Sequence, residues 1–155
     1  MHDREARSEA PATGEECRSR ALLSPLEMMT AEDVELRLVT ETEPVMMAEL
    51  GGPRPPEAIE RAHTKSLAMA AEGRCWPLKV MLDGSSSAVG WVGVFESSHE
   101  GEEIVEIGWM VLSEFQNRGI ASQTVRSVLE KAARAEVRAD PCLSCSDECR
   151  VQQGV

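Results

Sequence analysis

Six residues, Gln116-Asn117-Arg118-Gly119-Ile120-Ala121, stand where an apolar run gives way to a helical pattern. A strand that feeds a tight loop, and a loop that feeds a helix, leave successive backbone N–H groups pointing outward without partners. The helix dipole adds partial positive charge at the same place. Together they make an anion site suited to a pyrophosphate. Gly119 lets the backbone come close to a phosphate, and Ala121 keeps the next position small. Ser122 offers a hydroxyl in the first turn, and Arg118 offers a charge. As a bare hexapeptide the pattern is most simply an ordinary strand-to-helix turn. Its context gives it weight: the preceding strand is apolar on both faces, and the following helix is amphipathic.

Few other residues could do chemistry. Glu106 is a carboxylate within an otherwise apolar strand, a place where a proton acceptor would be held; the plainer reading puts it at the sheet rim in water. Glu103 is the next candidate, beside a turn and more exposed. Cys142, Cys145 and Cys149 form C-x-x-C-x-x-x-C, and three thiolates with a fourth ligand could hold zinc. No further Cys or His follows them, so free thiols in a tail are the simpler reading and no metal is expected. Cys17 and Cys75 stand alone and are expected reduced. His99 falls in a turn, and His63 is expected at the surface or edge of a helix. Trp76, Trp91 and Trp109 read as core residues of strands.

The elements that position these residues follow from periodicity. Val34, Leu36 and Leu38 alternate with Glu35 and Arg37, which predicts a first strand over 33–39. Pro44 opens a short helix to 50, stopped by Gly51-Gly52. Pro56 opens a longer one to 72, with Ile59, Ala62, Ser66, Leu67 and Ala70 as its stripe. Strands are predicted at 75–83, 88–97 and 103–112, joined by short turns and so antiparallel. A helix over 119–136 carries Ile120, Ala121, Val125, Val128, Leu129 and Ala132 on one stripe. These elements predict an α+β or α/β class: a mostly antiparallel mixed sheet with flanking helices. Residues 1–31 show no periodicity and read as a disordered tail, with Met28 or Met29 as a candidate natural start. Residues 137–155 read as an irregular Cys-containing tail after a domain at 32–136.

The net charge of -11 argues against non-specific binding to phosphate backbones and weakly favours a cationic acceptor. No apolar run approaches a membrane span, and the charged N-terminus lacks the core of a secretory signal. The expectation is a cytoplasmic protein with neither nucleic-acid nor membrane partners.

With its strand, loop and helix the chain resembles the GNAT superfamily of N-acetyltransferases. Glu106-Ile107-Gly108-Trp109 followed by Leu112-Ser113-Glu114-Phe115-Gln116 is similar to the RimJ/RimL-type subgroup, with Ser113 where that group usually has proline. The resemblance covers about 33–136 in element order and 103–132 in specific motif. It implies acetyl-CoA as cosubstrate, with its pyrophosphate on the amides from Gln116 to Ala121. The pantetheine arm would lie along the strand near Met110 and Val111, where a backbone N–H would polarise the thioester carbonyl. Residues 46–54 would shape the acceptor pocket. The acceptor would be a primary amine, on a small molecule or a protein N-terminus, with Glu106 as the base.

Two features depart from the family. Many members protonate the leaving thiolate with a tyrosine, and this chain has none. The usual fifth strand and its following helix are not recognisable after Ala135, as a frameshift, a fragmentary frame or a real truncation would produce. A non-catalytic CoA-binding or interaction remnant, or a non-functional fragment, therefore stands as the alternative. An unpaired edge on the 103–112 strand predicts a poorly folded chain, prone to self-association and catalytically weak.

Overall fold

The computed structural model describes residues 22–137 and 149–151. Its centre is a five-stranded sheet in the order β1-β2-β3-β4-β5. The strands are β1 (Glu27–Met28), β2 (Cys75–Met81), β3 (Ala88–His99), β4 (Glu102–Val111) and β5 (Cys149–Val151). The first four run antiparallel, and β5 lies parallel to β4. The β3–β4 hairpin turns on Glu100 and Gly101, both at positive φ (52° and 85°), the conformation whose twist matches the flanking strands.

Alternation sorts the sheet into two faces. Leu78, Val80, Val92, Val94, Val105 and Ile107 point to one side and are almost fully buried. They pack against Ile120 and Val128 of helix α4 (Ile120–Val137). The other side carries Trp91 and Met110 and faces α1 (Val34–Thr42), α2 (Pro44–Met47) and α3 (Pro56–Ala71). Between those helices and the sheet lies a cavity of about 660 Å³.

Three segments depart from the sequence expectations. Residues 33–39, expected as a strand, belong to a short 3-10 turn (Ala31–Asp33) and helix α1. The alternating Val34, Leu36 and Leu38 are misleading, because the buried stripe is Arg37, Thr40 and Glu41, at helical spacing and polar. Val39 is 54% exposed. Residues 22–31, assigned to the tail, supply the sheet edge instead: Glu27 and Met28 pair with Lys79 and Leu78, and Leu23 bridges Leu82. Glu27 therefore contributes from upstream of the candidate start. Finally, Cys149–Val151 pairs with Val105–Ile107, so part of the expected bare edge of β4 is covered by the segment read as irregular. The rest of both tails lies outside the described residues, Cys17, Cys142 and Cys145 included.

Thr30 and Asp33 explain why α1 begins where it does. The Asp33 carboxylate accepts the Thr30 amide at 2.7 Å and the Thr30 hydroxyl at 3.1 Å, with Lys79 Nζ at 3.4 Å. Burial raises the Asp33 carboxyl, but the Thr30 hydrogen bonds and the Lys79 charge outweigh it and hold it below the usual carboxylate range. A carboxyl lowered in the folded state stabilises fully above its unfolded pKa, and that contribution is lost as pH falls through the folded value. Asp33→Asn should therefore cost about 1 kcal/mol near neutral pH, as for other helix-entry caps. The deficit should be smaller at a strongly acidic pH, well below the ordinary Asp value of about 3.9. Urea unfolding of both proteins at the two pH values checks this.

Candidate active site

The loop after β4 is built by backbone geometry. Phe115 N–H donates to Leu112 O at 2.8 Å and Gln116 N–H to Ser113 O at 3.3 Å, closing a tight turn. Gln116 Nε2 then donates to Val111 O at 2.9 Å, stapling the loop to the strand it left. Asn117 and Gly119 both take positive φ, 60° and 74°. Such a chain folds successive amides into an anion-binding concavity. The first amide of α4 with an acceptor is that of Gln123, on Gly119 O at 3.1 Å. The amides from Asn117 to Ser122 donate to no acceptor among the described residues.

A Cβ added at Gly119 would meet nothing closer than Gln123 Nε2 at 3.8 Å, so the space over this glycine is open. A concavity of about 280 Å³ lies there, lined by Gly119, Ser122, Gln123 and Arg126. Arg126 was missed from the sequence, although its spacing from Ser122, four residues along a helix, puts it on the same face. Arg118 stays exposed, its guanidinium 5.4 Å from the centre of the Phe115 ring. Ile120 is buried in the core and Ala121 packs beside it, so these two anchor the helix and could meet a ligand only through their amides.

Met110 and Val111 face opposite ways. Leu112 N–H donates to Val89 O at 2.9 Å, so by alternation Val111 turns its own N–H toward the far edge of β4. Met110 carbonyl lies on the β3 side, so close to Gly90 that a Cβ there would sit 2.3 Å from it. Of the pair, Val111 is the one whose amide points away from β3. Among the described residues β5 covers Val105 to Ile107, and no strand pairs with the stretch 108–111 on that side.

On the other face of the sheet lies a cavity of about 660 Å³. Its floor includes Cys75, Trp91, Gly93 and Met110, and its walls include Arg37, Glu41, Met47 and Arg54. Met47, Leu50 and Arg54 come from the segment expected to shape an acceptor pocket. Glu41 is 3% exposed and holds two cations: Arg37 Nε at 2.6 Å and Arg54 Nη1. The Arg37 guanidinium stacks over Trp91 at 4.8 Å, and Trp91 Nε1 donates to Thr40 Oγ1 at 3.0 Å. Burial pushes the Cys75 thiol up to about 11 against the opposing pull of Arg37, which leaves it protonated and unreactive.

Glu106 lies half-buried opposite Phe95, on the cavity face of β4 between the positions of Ile104 and Gly108. Phe95 and Gly108 line the cavity; Glu106 stands next to them. Glu103 is exposed beside the hairpin, opposite Ser98. His63, expected at the surface, is 3% exposed and meets Thr30 O at 2.8 Å through Nε2. It follows Ile59 by four residues, on the buried face of α3, which an apolar-only stripe omitted. Among the described residues no cluster of His, Cys, Asp or Glu could hold a metal, and no helix is long and apolar enough to cross a membrane.

Residues 20–147 match a family model described as an acetyltransferase (GNAT) domain. Solved structures share the fold. A GNAT-family acetyltransferase from Bacillus anthracis aligns with 21% identity over 76% of this chain and 68% of its own, at a TM-score of 0.56. An acetyltransferase of Salmonella typhimurium, described as modifying the N-terminal serine of ribosomal protein L7/L12, aligns with 17% identity over 74% and 64%, also at 0.56. A RimL L7/L12 N-terminal acetyltransferase bound to coenzyme A through a disulfide aligns with 15% identity over 70% and 63%, at 0.53. The chain thus spans less than two thirds of the length of these ribosomal-protein acetyltransferases. No curated protein matches it in sequence.

Proposed function

The chain belongs to the GNAT acetyltransferase family, and on that premise we propose that it transfers the acetyl group of acetyl-CoA directly to a primary amine. One observation carries the reading: the row of amides from Asn117 to Ser122, without acceptors among the described residues, set at the end of a strand whose other face opens on a cavity. The pyrophosphate would take those amides, with Arg118 and Arg126 as counter-charges. Ser122 would add its hydroxyl, and the backbone of Gln116, Gly119, Ile120 and Ala121 would fix the loop. The pantetheine arm would then run along the 108–111 edge, where Val111 N–H is the donor available to the thioester carbonyl and Met110 backs it from the β3 side. The same edge, when empty, is where self-association would begin.

In the transfer the amine nitrogen forms a bond to the carbonyl carbon, and the C–S bond breaks. The thiolate leaves on CoA, and the surplus amine proton goes to a base, directly or through water. Glu106, on the cavity face of β4, is the proposed acceptor of that proton. Glu106→Gln should lower the rate of thiol release by about 10²-fold, the low end for a lost general base. A rate like that of the unaltered protein would leave Glu106 a structural residue.

The acceptor would be a small amine or a protein N-terminus, in the cytoplasm, and no metal takes part in the scheme. With no tyrosine in the chain, the thiolate would leave unaided or with help from water or another residue. That lack favours a second reading, a CoA-binding domain without turnover. Thiol release from acetyl-CoA across a panel of amines separates the two: release that requires an amine supports transfer, and CoA binding without release supports the second.

A further inference from the structure

The cavity has the opposite charge balance to the chain. Over the whole sequence Asp and Glu outnumber Lys and Arg by 27 to 16. Among the cavity's lining residues, Arg37, Arg54 and Lys65 stand against Glu41 and Glu96. Glu41 is not an independent anion there, since its two oxygens are occupied by Arg37 and Arg54. One buried carboxylate balances one of two guanidiniums and fixes the direction of both.

Arg54 is the member that faces outward. Its backbone N–H donates to Glu41 O at 3.0 Å and its Nη1 to the Glu41 carboxylate, yet 38% of its side chain remains exposed. Arg37 behind it is fixed by Glu41 and by the face of Trp91. A buried ionic cluster gains little as a source of stability, because desolvation offsets its Coulomb attraction. At a cavity wall it has another use. It holds a guanidinium fork in place before a ligand arrives, and such a fork matches a carboxylate with two parallel hydrogen bonds.

We propose that the amine acceptor of this site carries a carboxylate, and that Arg54, positioned by Glu41 and backed by Arg37, binds it. The proposal rests on the acetyl-transfer reading of the site and narrows its acceptor. The acidic surface alone favours a cationic acceptor; the cavity adds a demand for an anionic group on the same molecule. Free amino acids and the N-termini of acidic peptides both meet it.

The test is calorimetry with matched probes, with and without CoA: glutamate against glutaminamide, and the C-terminally amidated peptide Ser-Glu-Glu-Ala against the C-terminally amidated Ser-Gln-Gln-Ala. The carboxylate-bearing member of at least one pair should bind at least about tenfold more tightly, roughly 1.4 kcal/mol. The pair that shows the preference identifies the source of the carboxylate. Arg54→Gln should abolish the preference, and Arg54→Lys should keep part of it. CoA affinity should be the same in both variants, which shows that the fold survives. Because the readout is binding, a chain that fails to turn over acetyl-CoA still tests the proposal. Equal binding of acid and neutral probes, no binding of any probe, or a preference that survives Arg54→Gln would overturn it.

Discussion

Gly119→Glu should abolish CoA binding while the domain stays folded. The two halves of that expectation have separate causes. The glycine sits at φ 74°, where a side chain is strained by about 1–2 kcal/mol. Its Cβ has open space, with Gln123 Nε2 at 3.8 Å as the nearest atom, so no steric collapse follows. That strain is small against a typical stability of about 5–15 kcal/mol. At the ligand the effect is large. The new carboxylate stands over the amides that would hold a pyrophosphate and repels it with a full charge. A loss of more than about 100-fold, roughly 2.7 kcal/mol, is expected by calorimetry. Gly119→Ala separates the causes: it carries the same strain without the charge and should weaken CoA binding only several-fold. Equal losses in the two variants would mean that backbone strain, and not occupancy of the amides, controls binding.

Glu41→Ala should be among the most destabilising single changes in the chain. It leaves the guanidinium of Arg37, a residue only 8% exposed, without its anion and against Trp91. Breaking a buried pair in this way costs about 3–5 kcal/mol. The adjoining cavity lets water reach the charge, so the lower end, about 3 kcal/mol, is expected, and roughly 10 °C in melting temperature. Arg54→Gln should cost much less, because Arg54 is partly solvated and Glu41 keeps Arg37. If thermal unfolding gave the two variants equal losses, the buried triad would not be the support of the α1 wall. The double variant Arg37→Met with Glu41→Leu should recover most of the lost stability, since apolar residues of similar volume replace a buried pair at little cost.

The parts of the fold that were legible in the sequence have apolar patterns. Strands β2, β3 and β4 and helices α2, α3 and α4 each carry an apolar run or stripe bounded by glycine or proline, and the structure has them where the pattern put them. The loop at 116–119 was legible as a loop for the same reason, since it depends on a junction between two such elements. Helix α1 was not. Its buried stripe is Arg37, Thr40 and Glu41, and these residues need partners at Ser66, Arg54 and Trp91 to be buried at all. No local window contains those partners. The edge strands β1 and β5 have only two and three residues, too few for an alternation to register. Since part of the cavity wall is made by α1, the cavity was less readable than the loop after β4. Arg54 ends the 46–54 segment expected to shape an acceptor pocket, but its partner Glu41 could have been found only by asking why a charged residue precedes a helix–loop junction that also carries Pro44 and Gly51-Gly52.

Acetyl-CoA is proposed to bind at the end of β4 and to present its thioester along that strand toward the cavity. The most direct measurement is a titration of the isotopically labelled chain with CoA, following backbone amide shifts by NMR. The largest changes should fall on the amides from Asn117 to Ser122, with a second group at Gly108 to Val111, and Gly119→Glu should remove both. Shifts confined to residues around Arg37, Glu41 and Arg54, or none at saturating CoA, would contradict the account.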